Sequence, residues 1–354
     1  MRRCLMIGAG GLARTWIRDF YAPHRDRVEI VGLVDVNADV LAQQGDFLGL
    51  PAERRFTRMD EAFAAVEADF CTIVIPPAVH RDAVLLAVER GMDILSEKPI
   101  ADTWEACRDI YSAVTRAGVK MQVVQNYRYY RPMLTLRDVL RRGDLGRINY
   151  IMARFAKDYR VYGSWGAIFR HEIRHSLLIE GAVHHFDMIR NLSGGDCRYL
   201  AGWEWNPAWS SSKGEFNALY TMQLTNGVHA TYEGNGTAAG TQNIWHDEFY
   251  RVECEHGSVV VDRDHVVRVH RIGGGRGLQT EEIEPVPVRY ERHVAVIDQF
   301  LNWLNGGEAP EATLENNLPS VAMVFAAIEA SATNQVVNVE AMVSEARAAA
   351  GQGG

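Results

Sequence analysis

The sequence predicts two domains of different class: an α/β domain on a parallel sheet over residues 1–123, and an α+β domain with a mostly antiparallel open sheet over 124–354. Three observations carry this expectation. At 354 residues the chain exceeds what one hydrophobic core usually supports. Its first third alternates short β-rich runs with helix-patterned segments, the rhythm of a parallel sheet covered on both faces. After about residue 126 the rhythm gives way to helices and then to a block of strands separated by turn residues.

The elements follow in order. The β-rich runs are "RCLMIG" (3–8), "EIVGLVD" (29–35), "FCTIVIP" (70–76), "DILSE" (93–97) and "KMQVVQ" (120–125), with helices expected near 12–21, 37–48, 59–66, 79–90 and 103–117. In the second domain a helix near 131–142 ends at "RRGDLG", a strand runs through "INYIMARF", and one long helix is expected over 172–193. Residues 198–285 read as strands, and Asn226-Gly227 is a strong hairpin signal. Two helices follow, "YERHVAVIDQFLNWLNGG" and "LENNLPSVAMVFAAIEASATN", and the tail "EARAAAGQGG" is expected to fray.

Composition narrows the function classes. Apolar residues are 47% and charged residues 23% of the chain, as in ordinary globular proteins. The net charge of -8, with no Lys/Arg-rich run, argues against nucleic acid or an anionic membrane as partner. No apolar stretch approaches the ~20 residues that span a bilayer. "MRRCLMIGAGG" has two arginines before an apolar run, but the run is short and glycine-broken, so a first strand is expected rather than an export signal. The five cysteines are scattered and form no C-x-x-C pair, which suits buried thiols in a reducing, cytoplasmic compartment.

"LMIGAGGLA" places Gly8-x-Gly10-x-x-Ala13, with Gly11 and Leu12 between, straight after the first strand and at the mouth of a helix. Gly8 permits the tight turn, Gly10 lets the backbone approach a pyrophosphate, and Ala13 allows close helix–strand packing. The helix N-terminus offers N–H groups and a positive dipole end to phosphates. Asp35 ends the next strand 22 residues after Ala13, where a carboxylate accepts ribose hydroxyls and repels a 2'-phosphate. No Arg or Lys follows it immediately, so NAD is expected over NADP. Pro76, Pro77 and His80 of "IPPAVH", and Glu97 and Lys98 of "SEKPI", end later strands at the ligand-binding edge of such a sheet.

At "GAGGLA", "VDVN", "IPPAVH", "SEKPI" and "EGAVHHFD", in this order, the chain resembles the glucose-fructose oxidoreductase / inositol dehydrogenase / MocA family over nearly its full length. The resemblance implies a Rossmann domain followed by an α+β domain, and a nicotinamide-dependent dehydrogenase or reductase acting on a sugar, cyclitol or related polyol. It implies Lys98 and His184 as catalytic groups, with the acidic residue one helical turn before the His at Glu180. The family's commonest residue at that turn is Asp, so whether Glu180 contacts substrate or orients His184 stays open. The second domain is expected to bind substrate and to support a homodimer or homotetramer.

The chemistry suits these groups. Oxidising a secondary alcohol sends a hydride to the nicotinamide, while the protein must take the hydroxyl proton and hold the alcohol. An imidazole has an unperturbed pKa near 6.5, close to working pH, and a lysine beside the same oxygen stabilises the developing alkoxide. On a regular helix Glu180 and His184 share a face, continued by Asp187 and Met188, while His185 points about 100° away and reads as a packing residue.

Other groups are candidates for the cleft. Asn126 is a candidate cofactor contact, and Tyr127, Arg128, Arg170 and His171, together with Lys98 and His184, are candidate substrate contacts. "HEIRH" (171–175) also matches the zinc motif H-E-x-x-H, which puts two His on one helical face, so a metal-dependent hydrolase is one alternative. A dinucleotide-type first domain gives such a helix no purpose, and no metal is expected. A non-catalytic nucleotide-sensing protein is a second alternative, against which Lys98 and His184 argue. For the Trp-rich "GWEWNPAW" (202–209) and Trp245 the default is buried sheet packing, with a sugar platform or a subunit contact as other readings.

Overall fold

The computed structural model describes residues 1–240, 243–272 and 277–351. Its two compact units are interleaved in sequence. The first comprises Met1–Asn126, Tyr290–Leu318 and Ser344–Gly354, the second Tyr127–Arg289 and Pro319–Val343. A single cut after residue 123 therefore does not divide the chain: α9 (below), expected in the second domain, belongs to the first unit.

In the first unit the chain runs β1 (Arg2–Ile7), α1 (Gly11–Thr15), β2 (Val28–Val34), α2 (Ala38–Leu48), β3 (Arg55–Phe56), α3 (Met59–Ala65), β4 (Phe70–Ile73), α4 (His80–Glu89), β5 (Asp93–Ser96), α5 (Trp104–Ala117) and β6 (Met121–Val123). The sheet order is β3-β2-β1-β4-β5-β6, all parallel, with β1 paired to both β2 and β4. The strand order reverses beside β1, the point at which doubly wound sheets bind ligands. Helix ends follow local chemistry: Asn37 Oδ1 accepts from Asp39 N and Val40 N to start α2, and Gly49, at φ +68°, ends it. α1 is short and passes directly into a π-turn, Trp16–Phe20.

The second unit runs α6 (Arg131–Arg142), β7 (Ile148–Ala156), α7 (Phe169–Glu172), α8 (Val183–Ser193), β8 (Cys197–Trp205), β9 (Asn217–Leu224), β10 (His229–Asn235), β11 (Phe249–Cys254), β12 (Gly257–Val261), β13 (Val267–Ile272) and β14 (Leu278–Ile283). There follow α9 (Arg292–Leu304), α10 (Leu314–Thr333), β15 (Val337–Asn338) and α11 (Val339–Gly351), of which α10 and α11 are divided between the units. The expected frayed tail is helical through Gly351, and its last three residues lie outside the described ones.

The sheet of the second unit has the order β14-β13-β12-β11-β7-β10-β9-β8-β15, antiparallel except where β7 meets β10. Asn226 and Gly227, the latter at φ +87°, turn β9 into β10. One face of the sheet is buried: Phe186 of α8 packs edge-on against Tyr232, and Tyr220 Oη donates to Ala327 O of α10 at 2.9 Å. On β8 and β9 the alternate side chains face away from this core. Trp203 and Trp205 are 56% and 46% exposed, and Trp209 is also exposed. The expected burial of these tryptophans is thus corrected, because an alternating strand cannot turn positions 203 and 205 inward together with Leu200. Trp245 instead stacks on Phe155, ring centroids 4.2 Å apart.

All five cysteines are free, four of them buried. Among the described residues no helix is long and apolar enough to cross a membrane.

Candidate active site

In the first unit the glycine turn after β1 is set by close backbone contact. Gly8 N donates to Val34 O at 2.8 Å, its φ is +103°, and a Cβ there would lie 2.2 Å from Val74 O, so only glycine fits. Ala13 is buried, and its N–H returns to Gly10 O. Gly11 also has a positive φ, and Leu12 is 46% exposed. A cavity of about 580 Å³ opens beside the turn, lined in part by Gly8, Gly10, Asp35, Arg58, Pro76 and Val79. Pro77 opens the 3-10 turn that follows Pro76.

Asp35 is more committed than the motif suggests. Its Oδ2 accepts from Ala9 N (2.9 Å) and Gly10 N (3.0 Å), and its Oδ1 accepts from Asn37 N (2.9 Å). A carboxylate has about four lone-pair sites, so three are filled and one is left for a ribose hydroxyl. The residues therefore fit the adenosine end of a dinucleotide: close backbone approach at Gly8, a carboxylate at Asp35 and a cavity beside both. Arg58, which no local motif flags, reaches this cavity because β3 pairs with β2. Its guanidinium is paired with Asp60 at 2.5 Å and Glu61 at 3.3 Å.

At the ends of β4 and β5 the expected contacts are sorted differently. His80 is fully buried: Nε2 lies 2.9 Å from Ile75 O, and Nδ1 lies 3.0 Å from Pro99 O. Burial lowers its pKa, an effect the neighbouring carbonyls only partly oppose. The ring expected to contact cofactor thus lies between the Pro76 loop and the Pro99 loop, where the one N–H of a neutral imidazole donates to one of the two carbonyls. Glu97 is also buried. Burial alone would raise its pKa, but hydrogen bonds from His293 (3.4 Å) and Trp16 Nε1 (2.9 Å), with the Lys98 charge, leave it below the usual value. Its Oε2 accepts from Lys98 N at 3.2 Å, fixing the backbone of the half-buried Lys98, whose peptide bond to Pro99 is cis. Asn126, where the first unit ends its initial segment, is 4% exposed.

In the second unit the single helix expected over 172–193 is broken. α7 ends at Glu172, Ile173 is extended and His175 is left-handed at φ +55°. A π-turn over Leu177–Ala182 then leads into α8. The two His of "HEIRH" thus do not share a helical face, which removes the zinc-hydrolase geometry. His171, expected at the substrate, is buried beside Phe216 and Tyr162, its Nε2 accepts from Trp165 N at 3.3 Å, and burial lowers its pKa. The ring is thus engaged in the packing of its own loop.

The π-turn delivers Glu180 and α8 delivers His184, each 7% exposed. Glu180 Oε2 accepts from Arg170 Nε at 3.0 Å, and Arg170 also reaches Trp165 O. The His184 ring stacks on Tyr127 at 4.3 Å with planes 25° apart, and Tyr127 stacks in turn on His246 at 4.8 Å. Tyr127 Oη donates to Glu248 Oε1 at 2.8 Å. Burial and that carboxylate hold the phenol pKa well above its ordinary value, so it stays a neutral donor. His185 turns aside into the core, between Tyr232 Oη (2.9 Å) and Glu248 Oε1 (3.4 Å).

Arg128 is held by a buried carboxylate. Expected to read substrate hydroxyls, it is instead 2% exposed and forks onto Asp187, Nε to Oδ2 at 2.7 Å and Nη2 to Oδ1 at 2.6 Å, with Ser320 Oγ adding a 2.6 Å bond to Asp187. A buried guanidinium requires such a partner. Tyr232, His246 and Glu248, which complete this region, carried no local signal because sheet pairing brings them from far along the chain.

Comparison with known proteins agrees with this architecture. The model of the GFO/IDH/MocA oxidoreductase family, NAD-binding Rossmann fold, matches residues 2–125, and the model of the GFO/IDH/MocA C-terminal domain matches residues 133–260. An uncharacterized protein of Sinorhizobium fredii, y4oX, is 40% identical over 98% of each chain. A D-apiose dehydrogenase of Paraburkholderia graminis is 24% identical over 97% of this chain and 91% of that one. The crystal structure of an oxidoreductase from Agrobacterium radiobacter in complex with NAD+, L-tartaric acid and magnesium has a TM-score of 0.82 at 21% identity, covering 96% of this chain and 99% of that one. With both halves matched and a 40% identical relative along its whole length, the chain belongs to the GFO/IDH/MocA family and is an NAD(P)-dependent oxidoreductase with an NAD-binding Rossmann domain.

Proposed function

We propose that the protein moves a hydride between NAD and a secondary alcohol of a sugar, glycoside or cyclitol, with His184 exchanging the hydroxyl proton and Lys98 stabilising charge on the same oxygen. The observation that carries this reading is the setting of His184: a nearly buried imidazole face-stacked on Tyr127, whose hydroxyl Glu248 fixes in place. A positioned base of this kind typically contributes about 10²–10⁴-fold. When bound, NAD supplies the hydride acceptor. Glu180, engaged with Arg170, is read as orienting the helix that carries His184. The D-apiose dehydrogenase relative supports a sugar as the substrate class. Tyr127 of the 3-10 turn Asn126–Tyr129, Arg170 of α7 and Glu180 of the π-turn are read as polar groups for substrate hydroxyls.

The test is the near-ultraviolet absorbance of reduced nicotinamide during incubation with NAD and a panel of pyranosides, furanoses and inositols. At least one is expected to reduce NAD, and silence across the panel in both reaction directions would favour a nucleotide-sensing role. Preference for NAD rests on Asp35, with Arg58 held by Asp60. Asp35→Ala is expected to weaken NAD binding about 10–100-fold, the worth of one charge-assisted hydrogen bond, and to narrow the margin over NADP. Titration of both cofactors against wild type and variant checks this; a wild type that prefers NADP would refute it.

A further inference from the structure

We propose that His175, Glu204 and Glu215 form a site for one divalent cation of the zinc or manganese kind, which pins the segment ahead of the π-turn to the ends of β8 and β9. Among the described residues these are the His, Cys, Asp or Glu side chains placed to share an ion, one ligand atom from each lying within 4.8 Å of the others. His175 Nδ1 is 2.5 Å from Glu204 Oε1 and 3.6 Å from Glu215 Oε2. Ligands about 2.1 Å from a tetrahedral ion stand about 3.4 Å apart, so shifts of an ångström or so in the side chains accommodate one.

The second observation is at Glu204. Its side chain is 4% exposed and its Oε2, fully buried, has no hydrogen-bond partner. A buried carboxylate oxygen left in this state is costly. A proton on His175 Nδ1 would satisfy Oε1 and still leave Oε2 orphaned, whereas a cation answers the carboxylate as a whole. The guanidinium facing the cluster, Arg174, lies 3.7 Å from Glu215 and is largely exposed.

The backbone is arranged around the same point. His175 adopts a left-handed conformation unusual for a side-chain-bearing residue, and its N–H is held by Glu215 Oε2 at 2.7 Å. The ring is thereby turned toward Glu204 and Glu215. One imidazole nitrogen with two carboxylates suits zinc or manganese better than a thiolate-seeking ion or one wanting oxygen alone. His175 and Glu215 are each 22% exposed, so water can fill the remaining positions. The site takes no part in hydride or proton transfer. Its effect is to fix the chain five residues before Glu180.

The test uses the full-length protein, stripped with a chelator and equilibrated separately with zinc and manganese salts in the absence of substrate. Bound metal is measured by elemental analysis after desalting, and unfolding temperature is measured with and without ion. One ion per chain and a higher unfolding temperature are expected. His175→Ala and Glu204→Gln are expected to weaken binding at least about 10–100-fold, the range seen even for loss of groups that only orient a ligand, with native circular dichroism. Glu215→Gln, at a more exposed position, provides the same readout should the buried variants fold poorly. A wild type that retains neither ion overturns the proposal, as does equal retention by folded variants. Neither result bears on the oxidoreductase reading, which is measured by nicotinamide reduction.

Discussion

His184→Ala is expected to lower kcat about 10²–10⁴-fold while leaving NAD affinity within a factor of a few. The asymmetry follows from location: the glycine turn, Asp35 and the cavity beside them are built wholly from the first unit, and His184 from the second. Removing the ring also deletes a stacking partner of Tyr127, so the fold should be checked by the unfolding midpoint before the rate is interpreted. Steady-state kinetics on any substrate found in the panel, with cofactor titration in parallel, supply the readout. Turnover close to wild type in the folded variant would remove His184 from the role of proton acceptor.

Asp187→Ala is expected to destabilise the protein by about 3–5 kcal/mol, because it strands the Arg128 guanidinium in the core. The pair is almost wholly enclosed, 2% and 0% exposed at the side chains, and Ser320 links it to Arg190. The cost of breaking such a pair is mostly the uncompensated charge rather than the lost attraction, which gives a sharper comparison: Arg128→Met with Asp187→Leu should recover most of the loss. Urea midpoints of the three proteins decide it. Equal destabilisation by the single and the paired change would mean that the ion pair itself, and not the desolvated charge, matters here. Because Asp187 lies three residues after His184 on α8, the pair also fixes the rotation of that helix about its axis.

Local signals explain what could be read from sequence. The strands of the first unit other than β3, and the helices Ala38–Leu48, Trp104–Ala117 and Arg131–Arg142, lie where the β-rich runs and the helix-patterned segments put them. The two-residue β3 was too short to leave a pattern. The glycine turn and Asp35 were legible because each is fixed by neighbours close in sequence or by the next strand. The π-turn was not: Leu-Leu-Ile-Glu-Gly-Ala has ordinary helical composition, and the wider winding is decided by packing. Nor does the sequence show that the rings of His171 and His80 meet backbone groups, Trp165 N and the carbonyls of Ile75 and Pro99, while that of His184 stacks on Tyr127, since these partners are set by tertiary packing. For Arg128 the deciding partner, Asp187, is 59 residues away along the chain.

The interleaving of the two units bears on the order in which the protein can be made. β6 is the last strand of the nucleotide-binding sheet, yet its Val123 N–H is satisfied by Ala312 O, Glu97 is held by His293 and Arg27 by Asp298. During synthesis from the N-terminus, Met1–Asn126 must wait without these partners, its groups left to water, until the chain has been made through residue 312. The nucleotide-binding unit is therefore first to be translated and among the last to be finished, and a chain arrested before α9 would expose the flank of Phe70 that Phe300 covers.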